Sequence, residues 1–295
     1  MILWNRLARN LYNSSARFVF ELLQNADDNH YTEARACEAV PFVSFRVYTR
    51  RIVLECNEDG FTRENLVAIC NVGKSSKTGA QGYIGEKGIG FKSVFMVAWK
   101  AHIQSGDFSF SFQHKREDSG MGMISPVWED INEELAGPLS RITLFLHETG
   151  NQDTLAKQRE TTLQQFQELQ DTILLFMKNL KKIKITMYDE NDLITSTTIF
   201  SMDHEANDRV SLRKRILQNG QTQDHRRYYH VTKHMAERLP KNENRTYSEV
   251  EEAAGAYSKA EVVLAFPLTH DSIPIIEPQD VFAFLPVRHM GFTVK

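Results

Sequence analysis

The sequence predicts an α/β fold, because segments with a helical spacing of apolar residues alternate with segments in which apolar and polar residues alternate strictly. The 295-residue chain is 41% hydrophobic and 10% aromatic, which is typical of a globular protein with a core. The clearest helix covers 17–28, where apolar residues recur every three or four positions without Pro or Gly. The clearest strand covers 141–147. Together these patterns favour helices packed on a sheet.

The remaining elements follow from the same two periods. Segments 42–49 and 51–56 predict a β-hairpin with a tight turn near Arg50, and Thr62 is a candidate N-cap for a helix over 62–69. A long amphipathic helix is predicted from about 161 to 180. Further strands are predicted over 102–105, 108–112, 183–188 and 193–200.

The composition changes after residue 200. Residues 201–259 are rich in Asp, Glu, Asn, Arg and Gln and predict a polar connecting region, whereas apolar strands return at 260–268 and 281–287. We therefore expect a main domain over 1–200 and the start of a second α/β region over 260–295. Because that region stops soon after its strands, we expect the chain to be a fragment or a truncated product.

The overall charge and the cysteines set further expectations. A net charge of −3 and a pI near 6.4 predict no general attraction to nucleic acid or to an anionic membrane. The cysteines, Cys37, Cys56 and Cys70, lack metal-ligand spacing and fit free thiols in a reducing compartment. No apolar run approaches about 18 residues. We expect an intracellular protein, cytoplasmic or nuclear, without a membrane segment.

The predicted helix over 17–28 carries the first candidate site. Glu21 and Asn25 are four residues apart, so they project from the same helical face. Asn25 can hold a metal-bound phosphate while Glu21 takes a proton from water. Asp28, one turn further on, lies on the same rim. The alternative is an ordinary solvated helix face.

A glycine-rich segment supplies what a phosphate needs. Gly85, Gly88 and Gly90 let the backbone approach an anion and turn its N–H groups toward it. A helix predicted over 91–99 follows, with its positive end toward the anion. The glycines run G-x-x-G-x-G, so they form neither a Walker A loop nor a dinucleotide fingerprint. Lys92 can neutralise phosphate, with a solvated role as the alternative.

Together these stretches resemble the GHKL (Bergerat-fold) ATPase superfamily, which includes gyrase, the heat-shock-ninety chaperones and histidine kinases. Residues 57–61, Asn-Glu-Asp-Gly-Phe, stand where that superfamily has its adenine-reading loop, and 71–79 look like its lid. The run from 57 to 95, including GYIGEKGIGFKSVF, is similar to the NO VEIN and sacsin-type modules. The match is specific because motif order and spacing agree over this whole run.

The resemblance implies a two-layer α+β sandwich, in which helices cover a mixed, mostly antiparallel sheet. It also implies Mg²⁺-dependent ATP binding with slow hydrolysis, with Glu21 as catalytic residue and Asn25 as Mg²⁺ ligand. Asn57, or Cys56 if the loop is not shortened, stands at the position of the usual adenine-reading Asp, which leaves base selectivity open, and Ser140 replaces a phosphate-contacting Thr. The implied nucleotide contacts are Asn25, Asp28, Asn57, Gly60, Asn71, Lys77, Gly85, Gly88, Ile89, Gly90, Phe91, Lys92 and Ser140.

A second hypothesis is a nucleotide-gated protein-interaction module that binds ATP without significant hydrolysis. Both hypotheses expect a protein partner or client and leave a homodimer open. A histidine-kinase fragment is disfavoured, because Glu21 precedes Asn25 and no phosphoacceptor-histidine helix precedes the motif. His230 and His234 have the spacing of a metal pair, but no further ligand stands nearby in sequence, so a structural or solvated role is favoured.

Overall fold

One sheet of eleven strands organises the part of the chain that the computed structural model describes, which is residues 17–70, 91–114, 125–131, 133–135, 137, 139–148, 151–239, 258–276, 278–283 and 285–293. Numbered along the chain, its strands lie in the order β11-β10-β9-β8-β7-β1-β2-β6-β3-β4-β5. Neighbours are antiparallel except β1 and β7, which are parallel. The prediction of an α/β protein with a mixed sheet is confirmed.

The helices and strands have the following bounds in these ranges. The helices are α1 (Arg17–Asp27), α2 (Thr32–Ala36), α3 (Arg63–Cys70) and α4 (Gln152–Glu168), with 3₁₀ helices at Phe91–Met96 and Asp171–Phe176. The strands are β1 (Phe42–Val47), β2 (Arg51–Cys56), β3 (Ala98–Ser105), β4 (Phe108–Gln113), β5 (Val127–Trp128), β6 (Ser140–Leu146), β7 (Lys182–Tyr188), β8 (Ile194–His204), β9 (Arg209–Gln218), β10 (Gln221–Ala236), β11 (Ala260–Leu268), β12 (Pro278–Ala283) and β13 (Leu285–Thr293). β12 and β13 pair in a separate hairpin.

Strand β1 shows how the alternating pattern gives the sheet two different faces. Its odd-numbered residues Val43, Phe45 and Val47 are buried, while the residues between them are half-exposed. Successive side chains of a strand point to opposite faces, so the buried set defines a core face. The opposite face is called the outer face below.

Helices α1 and α4 meet the core face at β1. The Phe166 ring of α4 lies 5.2 Å from the Phe45 ring and 6.5 Å from the Phe18 ring of α1, measured between centroids. Fully burying each such side chain stabilises the fold by about 1.5–3 kcal/mol. Five apolar residues of α1 are buried, namely Phe18, Val19, Leu22, Leu23 and Ala26, and Phe20 is partly buried against the same core.

The predicted hairpin and the predicted cap are confirmed. Val47 of β1 pairs with Ile52 of β2 across the turn at Arg50. Thr62 and Asn65 cap α3 reciprocally: the Asn65 N–H donates to Thr62 Oγ1 at 3.3 Å, and the Thr62 N–H donates to Asn65 Oδ1 at 2.8 Å. Such a pair satisfies backbone donors that the first helical turn leaves free.

Two predicted helices need correction. The helix expected over 161–180 starts at Gln152, because the side chain of Asn151 accepts a hydrogen bond from the Asp153 N–H at 2.9 Å and caps the helix there. It ends at Glu168. The helix expected over 91–99 is a 3₁₀ helix ending at Met96, because Ala98 already pairs with β6 as part of β3.

The expectation of a polar connection over 201–259 also needs correction. Residues 209–236 form β9 and β10, and β11 then pairs with β10, so the sheet continues through this region. The polar residues lie on strands with large exposed surfaces. The division of the chain into domains stays a prediction. None of the helices in the described ranges combines the length and the apolar character that a membrane crossing requires.

Candidate functional site

The first part of the candidate site is a polar stripe on α1. Glu21, Gln24, Asn25 and Asp28 follow one another at three- and four-residue spacing, opposite the buried apolar residues of the helix. Glu21 and Asn25 are half-buried, and Asp28 is 6% exposed. The Asp28 N–H donates to the Gln24 carbonyl at 2.9 Å, so the helical course extends to Asp28. The predicted common face of Glu21 and Asn25 is present.

Gln24 is a member of this stripe that sequence reasoning missed. Its Nε2 is buried and has no hydrogen-bond partner among the described residues. A buried donor without an acceptor costs about 1–3 kcal/mol, so this amide favours a bound oxygen acceptor beside Asn25. From its helical position alone, Gln24 would be predicted to be solvated, and the sequence contains no further indication that it belongs to a site.

The loop after β2, residues 57–61, forms the second part of the site. Asn57 is buried, its Oδ1 accepts from the Phe42 N–H at 2.7 Å, and its Nδ2 donates to the Val40 carbonyl at 3.1 Å. This amide therefore holds the segment that leads into β1. The next residue, Glu58, is 4% exposed and is the buried carboxylate of the loop.

Glu58 lies close to the turn that follows α1. Burial raises the pKa of the Tyr31 hydroxyl, and the charge of Glu58 adds to that rise. The Tyr31 hydroxyl donates to the Ala26 carbonyl at 2.7 Å, which ties it to the end of α1. The loop and the C-terminal turn of α1 are therefore neighbours. The base-reading role predicted for Asn57 stays a prediction, and Glu58 is a buried carboxylate next to it.

Asp59 fixes the loop against α2. Its carboxylate accepts hydrogen bonds from the backbone N–H groups of Thr32 and Glu33, both at 2.9 Å, and its own N–H donates to the His30 carbonyl at 2.9 Å. Burial alone would raise the pKa of the Asp59 carboxyl, but these two N–H donors outweigh it and hold the pKa below its ordinary value.

Gly60 lies beside Ser105, where β2 and β3 end and β6 begins. Its φ is +96°, and a Cβ at this position would lie 3.2 Å from Ser105 Oγ. Ser105 Oγ accepts from the Phe61 N–H at 2.9 Å and lies 2.6 Å from Ser140 Oγ. The structure thus brings Ser140 and Gly60 together through Ser105. The contact of Ser140 with a phosphate stays a prediction.

The turn between α1 and α2 is anchored from the far side by Asp27, which sequence reasoning also missed. The Asp27 carboxylate accepts from the N–H groups of Lys178, Asn179 and Leu180 at 2.8, 2.8 and 2.9 Å. Asn179 Nδ2 in turn donates to the Asp27 carbonyl at 2.7 Å. These bonds fix the end of α1, and with it the positions of Asn25 and Asp28.

The 3₁₀ helix Phe91–Met96 packs against α1 and brings in Phe91 and Lys92. Lys92 Nζ lies 4.3 Å from the centroid of the Phe112 ring, which is cation–π distance. Burial lowers the pKa of the Lys92 ammonium to about 8, and the nearby Cys70 opposes that shift. A lysine of this kind gains from a neighbouring anion, because an anion stabilises its charged form.

Six predicted contacts cannot be placed. Among the described residues, no group of three or more His, Cys, Asp or Glu side chains is arranged to hold a metal ion. The Mg²⁺ role of Asn25 therefore stays a prediction. In the same part of the chain, no further metal ligand stands near His230 and His234. The cysteines are free thiols, as predicted. The predicted contacts that lie outside the described residues are Asn71, Lys77, Gly85, Gly88, Ile89 and Gly90.

Known proteins match the part of the chain that contains these elements. The family profile "Sacsin domain" matches residues 5–112, which include α1, the loop after β2 and the 3₁₀ helix. Protein NO VEIN of Arabidopsis thaliana is 36% identical over 187 residues, which cover 60% of this chain and 7% of that protein. Heat shock protein 75 kDa, mitochondrial, of Rattus norvegicus is 28% identical over 121 residues, which cover 34% of this chain and 17% of that protein.

These matches support the predicted similarity to the sacsin and NO VEIN group and indicate a weaker likeness to a heat shock protein. The aligned regions span only 7% and 17% of those two relatives. The similarity therefore concerns a module rather than the whole of either protein.

Proposed function

We propose that this chain is a Mg²⁺-dependent ATP-binding module of the Bergerat type with slow ATPase activity. The observation that carries the proposal is that α1, the helix bearing the polar stripe, packs against the 3₁₀ helix that directly follows the glycine-rich segment 85–90 in sequence. The likeness to Heat shock protein 75 kDa supports it. The two-layer sandwich is part of the proposal, and the packing of α1 and α4 on the Phe45 face of the sheet supports that part.

The residues of the stripe fit a magnesium-bound phosphate. Mg²⁺ prefers oxygen ligands and keeps several waters, so the carboxamide oxygen of Asn25, with Asp28 beside it, is a suitable donor set. The buried Gln24 amide can donate to a phosphate oxygen and would thereby gain the partner it lacks within the described residues. When bound, the ion neutralises phosphate charge.

Glu21 is the residue to which we assign chemistry. It lies on the stripe one turn before Asn25, where a carboxylate can orient a water and accept its proton. Lys92 offers a positive charge on the neighbouring 3₁₀ helix. In the loop, we propose that the acceptor for the adenine amino group is Asn57 or the buried carboxylate of Glu58 beside it, and the Asn57 amide also bonds to backbone groups of Val40 and Phe42.

Phosphate release in the presence of ATP and Mg²⁺ tests this assignment. Glu21→Gln should lower turnover by about 10²- to 10⁴-fold with nearly unchanged ATP affinity, because only the proton transfer is lost. The matched control is Glu160→Gln, which changes an exposed glutamate of α4. Equal turnover by wild type and Glu21→Gln would refute the catalytic role of Glu21.

The second candidate is a nucleotide-gated interaction module that uses the same binding residues without hydrolysis. Exposed apolar side chains on the edge strand β11 favour it, because Val262 is 41% and Leu264 is 47% exposed, and such surface suits a protein partner or client. This candidate predicts that wild type and Glu21→Gln bind ATP equally and that neither releases phosphate. A homodimer would fit either candidate.

A further inference from the structure

The outer face of the sheet carries a row of cations that crosses four strands. Register places Lys182 of β7 beside Ser201 of β8, Ser201 beside Arg213 of β9, and Arg213 beside Arg226 of β10. Residues paired in register point to the same side of a sheet. Lys184 and Arg215 lie in the next outward-pointing row. We call Lys182, Lys184, Arg213, Arg215 and Arg226 the basic face.

The β9–β10 hairpin concentrates positive charge in an acidic chain. Residues 209–236 contain seven Lys or Arg and one Asp, a net charge of +6, whereas the whole chain has −3. The rest of the chain therefore carries −9. The net charge of the chain hides this segregation, which is why sequence analysis expected no nucleic-acid partner.

The charges of the basic face are only partly compensated. Arg213 stands directly opposite Arg226, and like charges at directly opposed positions destabilise a strand pair. Asp224 is shared, since its carboxylate accepts from Arg213 Nε at 2.8 Å and from Arg215 at 3.3 Å. Within the described residues, no carboxylate forms an ion pair with Lys182, Lys184 or Arg226. An external polyanion would relieve this repulsion.

Aromatic rings continue the basic face along β10. Tyr228 and His230 follow Arg226 at two-residue steps and therefore point to the same side. The Arg226 guanidinium lies 5.8 Å from the Tyr228 ring centroid, and the His230 ring stacks on Phe266 of β11 at 6.5 Å. Both β10 rings are partly exposed. Single-stranded nucleic acid can use both features, because cations contact its phosphates and partly exposed rings stack on its bases.

We propose that the basic face binds single-stranded nucleic acid, with phosphates on Arg213, Arg226 and Lys182 and bases on Tyr228 and His230. An acidic polypeptide would use the cations, but it has no bases to stack on the rings. The face lies opposite the core face on which α1 and α4 pack. Nucleic-acid binding is therefore independent of the ATP site, and failure of one proposal does not affect the other.

Fluorescence anisotropy with a labelled oligouridylate of about 20 nucleotides measures this binding in the full chain. Arg213→Gln with Arg226→Gln should weaken binding about 100-fold at low salt, about tenfold for each lost charge-assisted contact. The slope of log K against log salt should fall by about 1.4, because each neutralised phosphate of a single strand contributes about 0.7.

A matched control removes the same charge from the other side of the same hairpin. Lys214 pairs with Phe200 on the core face and lies 5.7 Å from that ring, and Lys233, which also alternates to that face, pairs with Glu261 at 3.1 Å. Lys214→Gln with Lys233→Gln should change affinity and salt slope much less. Arg213→Lys with Arg226→Lys should retain most of the binding, which separates lost charge from lost folding.

Stacking is tested at Tyr228. Tyr228→Ala should weaken binding by about 5- to 150-fold, whereas Tyr228→Phe should preserve it, because the ring rather than the hydroxyl carries the contact. Three results would overturn the proposal: no binding of the oligonucleotide, equal losses in the outer-face and core-face double variants, or equally tight binding of a polyglutamate of the same length. The third result would identify an acidic polypeptide as the partner.

Discussion

The C-terminal turn of α1 and the β9–β10 hairpin are both polar in sequence, yet they use their charges in opposite ways. At the turn, buried carboxylates accept hydrogen bonds from backbone N–H groups, as Asp27 does from residues 178–180. In the hairpin, exposed guanidinium groups oppose one another across strands, as Arg213 and Arg226 do. Polar composition therefore predicts neither order nor disorder. What differs is whether the charged group is buried among backbone donors, as Asp27 is, or paired with an exposed side chain, as Arg213 is with Asp224.

The largest effect is expected at the turn. Asp27 is 5% exposed, and Asp27→Ala leaves three backbone N–H groups without their acceptor. It should therefore lower the free energy of unfolding by about 3–5 kcal/mol. Urea unfolding measures it. Asp189→Ala is the control, because that carboxylate also accepts from backbone N–H groups, of Asn191 and Leu193, but at an exposed turn. Equal losses would contradict the distinction drawn here.

A pair of glycines sharpens the comparison. Gly60 and Gly220 have φ of +96° and +72°. A Cβ at Gly60 would lie 3.2 Å from Ser105 Oγ, whereas a Cβ at Gly220 would have no atom within 4 Å. Gly220→Ala should cost about 1 kcal/mol for backbone strain alone. Gly60→Ala should cost about 2 kcal/mol, because the serine pair must also shift. Thermal unfolding gives both values, and a smaller loss at Gly60 would refute the close packing of the loop.

Lys92 gives a pH-dependent effect of smaller size. Its folded pKa of about 8 lies below the ordinary 10.5, so the unfolded state binds more protons between these values and wild-type stability rises with pH across that window. Lys92→Met removes this dependence. It should stabilise the chain by about 1 kcal/mol at about pH 7, after allowance for solvent screening of the half-buried amine, and by nothing above about pH 10.5.

Urea unfolding of wild type and Lys92→Met across this pH range measures the difference. A difference in stability that does not change with pH would contradict the lowered pKa. Lys100→Met is a suitable control, since Lys100 pairs with Glu129 at 2.6 Å and is expected to lose stability on substitution.

The smallest effect is expected at Asp224 of the hairpin. Hydrogen bonds from Arg213 lower the pKa of its carboxyl to about 2, so it stays charged as the pH falls from neutrality until about that value. Because the pair is solvated, Asp224→Asn should shift the Tm by no more than about 1 °C. Differential scanning calorimetry tests this, and a loss comparable to that of Asp27→Ala would remove the contrast between the two regions.

Local sequence patterns predicted the elements whose structure depends on residues that are close together in the chain. The period of α1, the β1–β2 hairpin and the Thr62 cap could be predicted because each depends on neighbours within a few residues. β9 and β10 could not, since their stability comes from pairing within the sheet while their Arg- and Gln-rich sequences favour solvent. The start of α4 was missed because the cap at Asn151 precedes the apolar stripe.

The candidate site was only partly predictable for the same reason. Glu21, Asn25 and Asp28 share a face by helical spacing alone, which the sequence contains. Asp27 bonds to residues about 150 positions away, and no local pattern records such a contact. Asn57 and Glu58 are adjacent in the chain, and the sequence does not reveal that the Asn57 amide bonds to backbone groups of Val40 and Phe42.

The measurement that tests the central claim most directly is calorimetric titration of ATP into the full chain, with Mg²⁺ and with EDTA, for wild type and Asn25→Ala. We predict that wild type binds ATP in the presence of Mg²⁺, that EDTA weakens this binding, and that Asn25→Ala abolishes the Mg²⁺-dependent part. Absence of binding by folded wild type, or equal Mg²⁺-dependent binding by Asn25→Ala, would contradict the assignment of a nucleotide site to the polar stripe of α1.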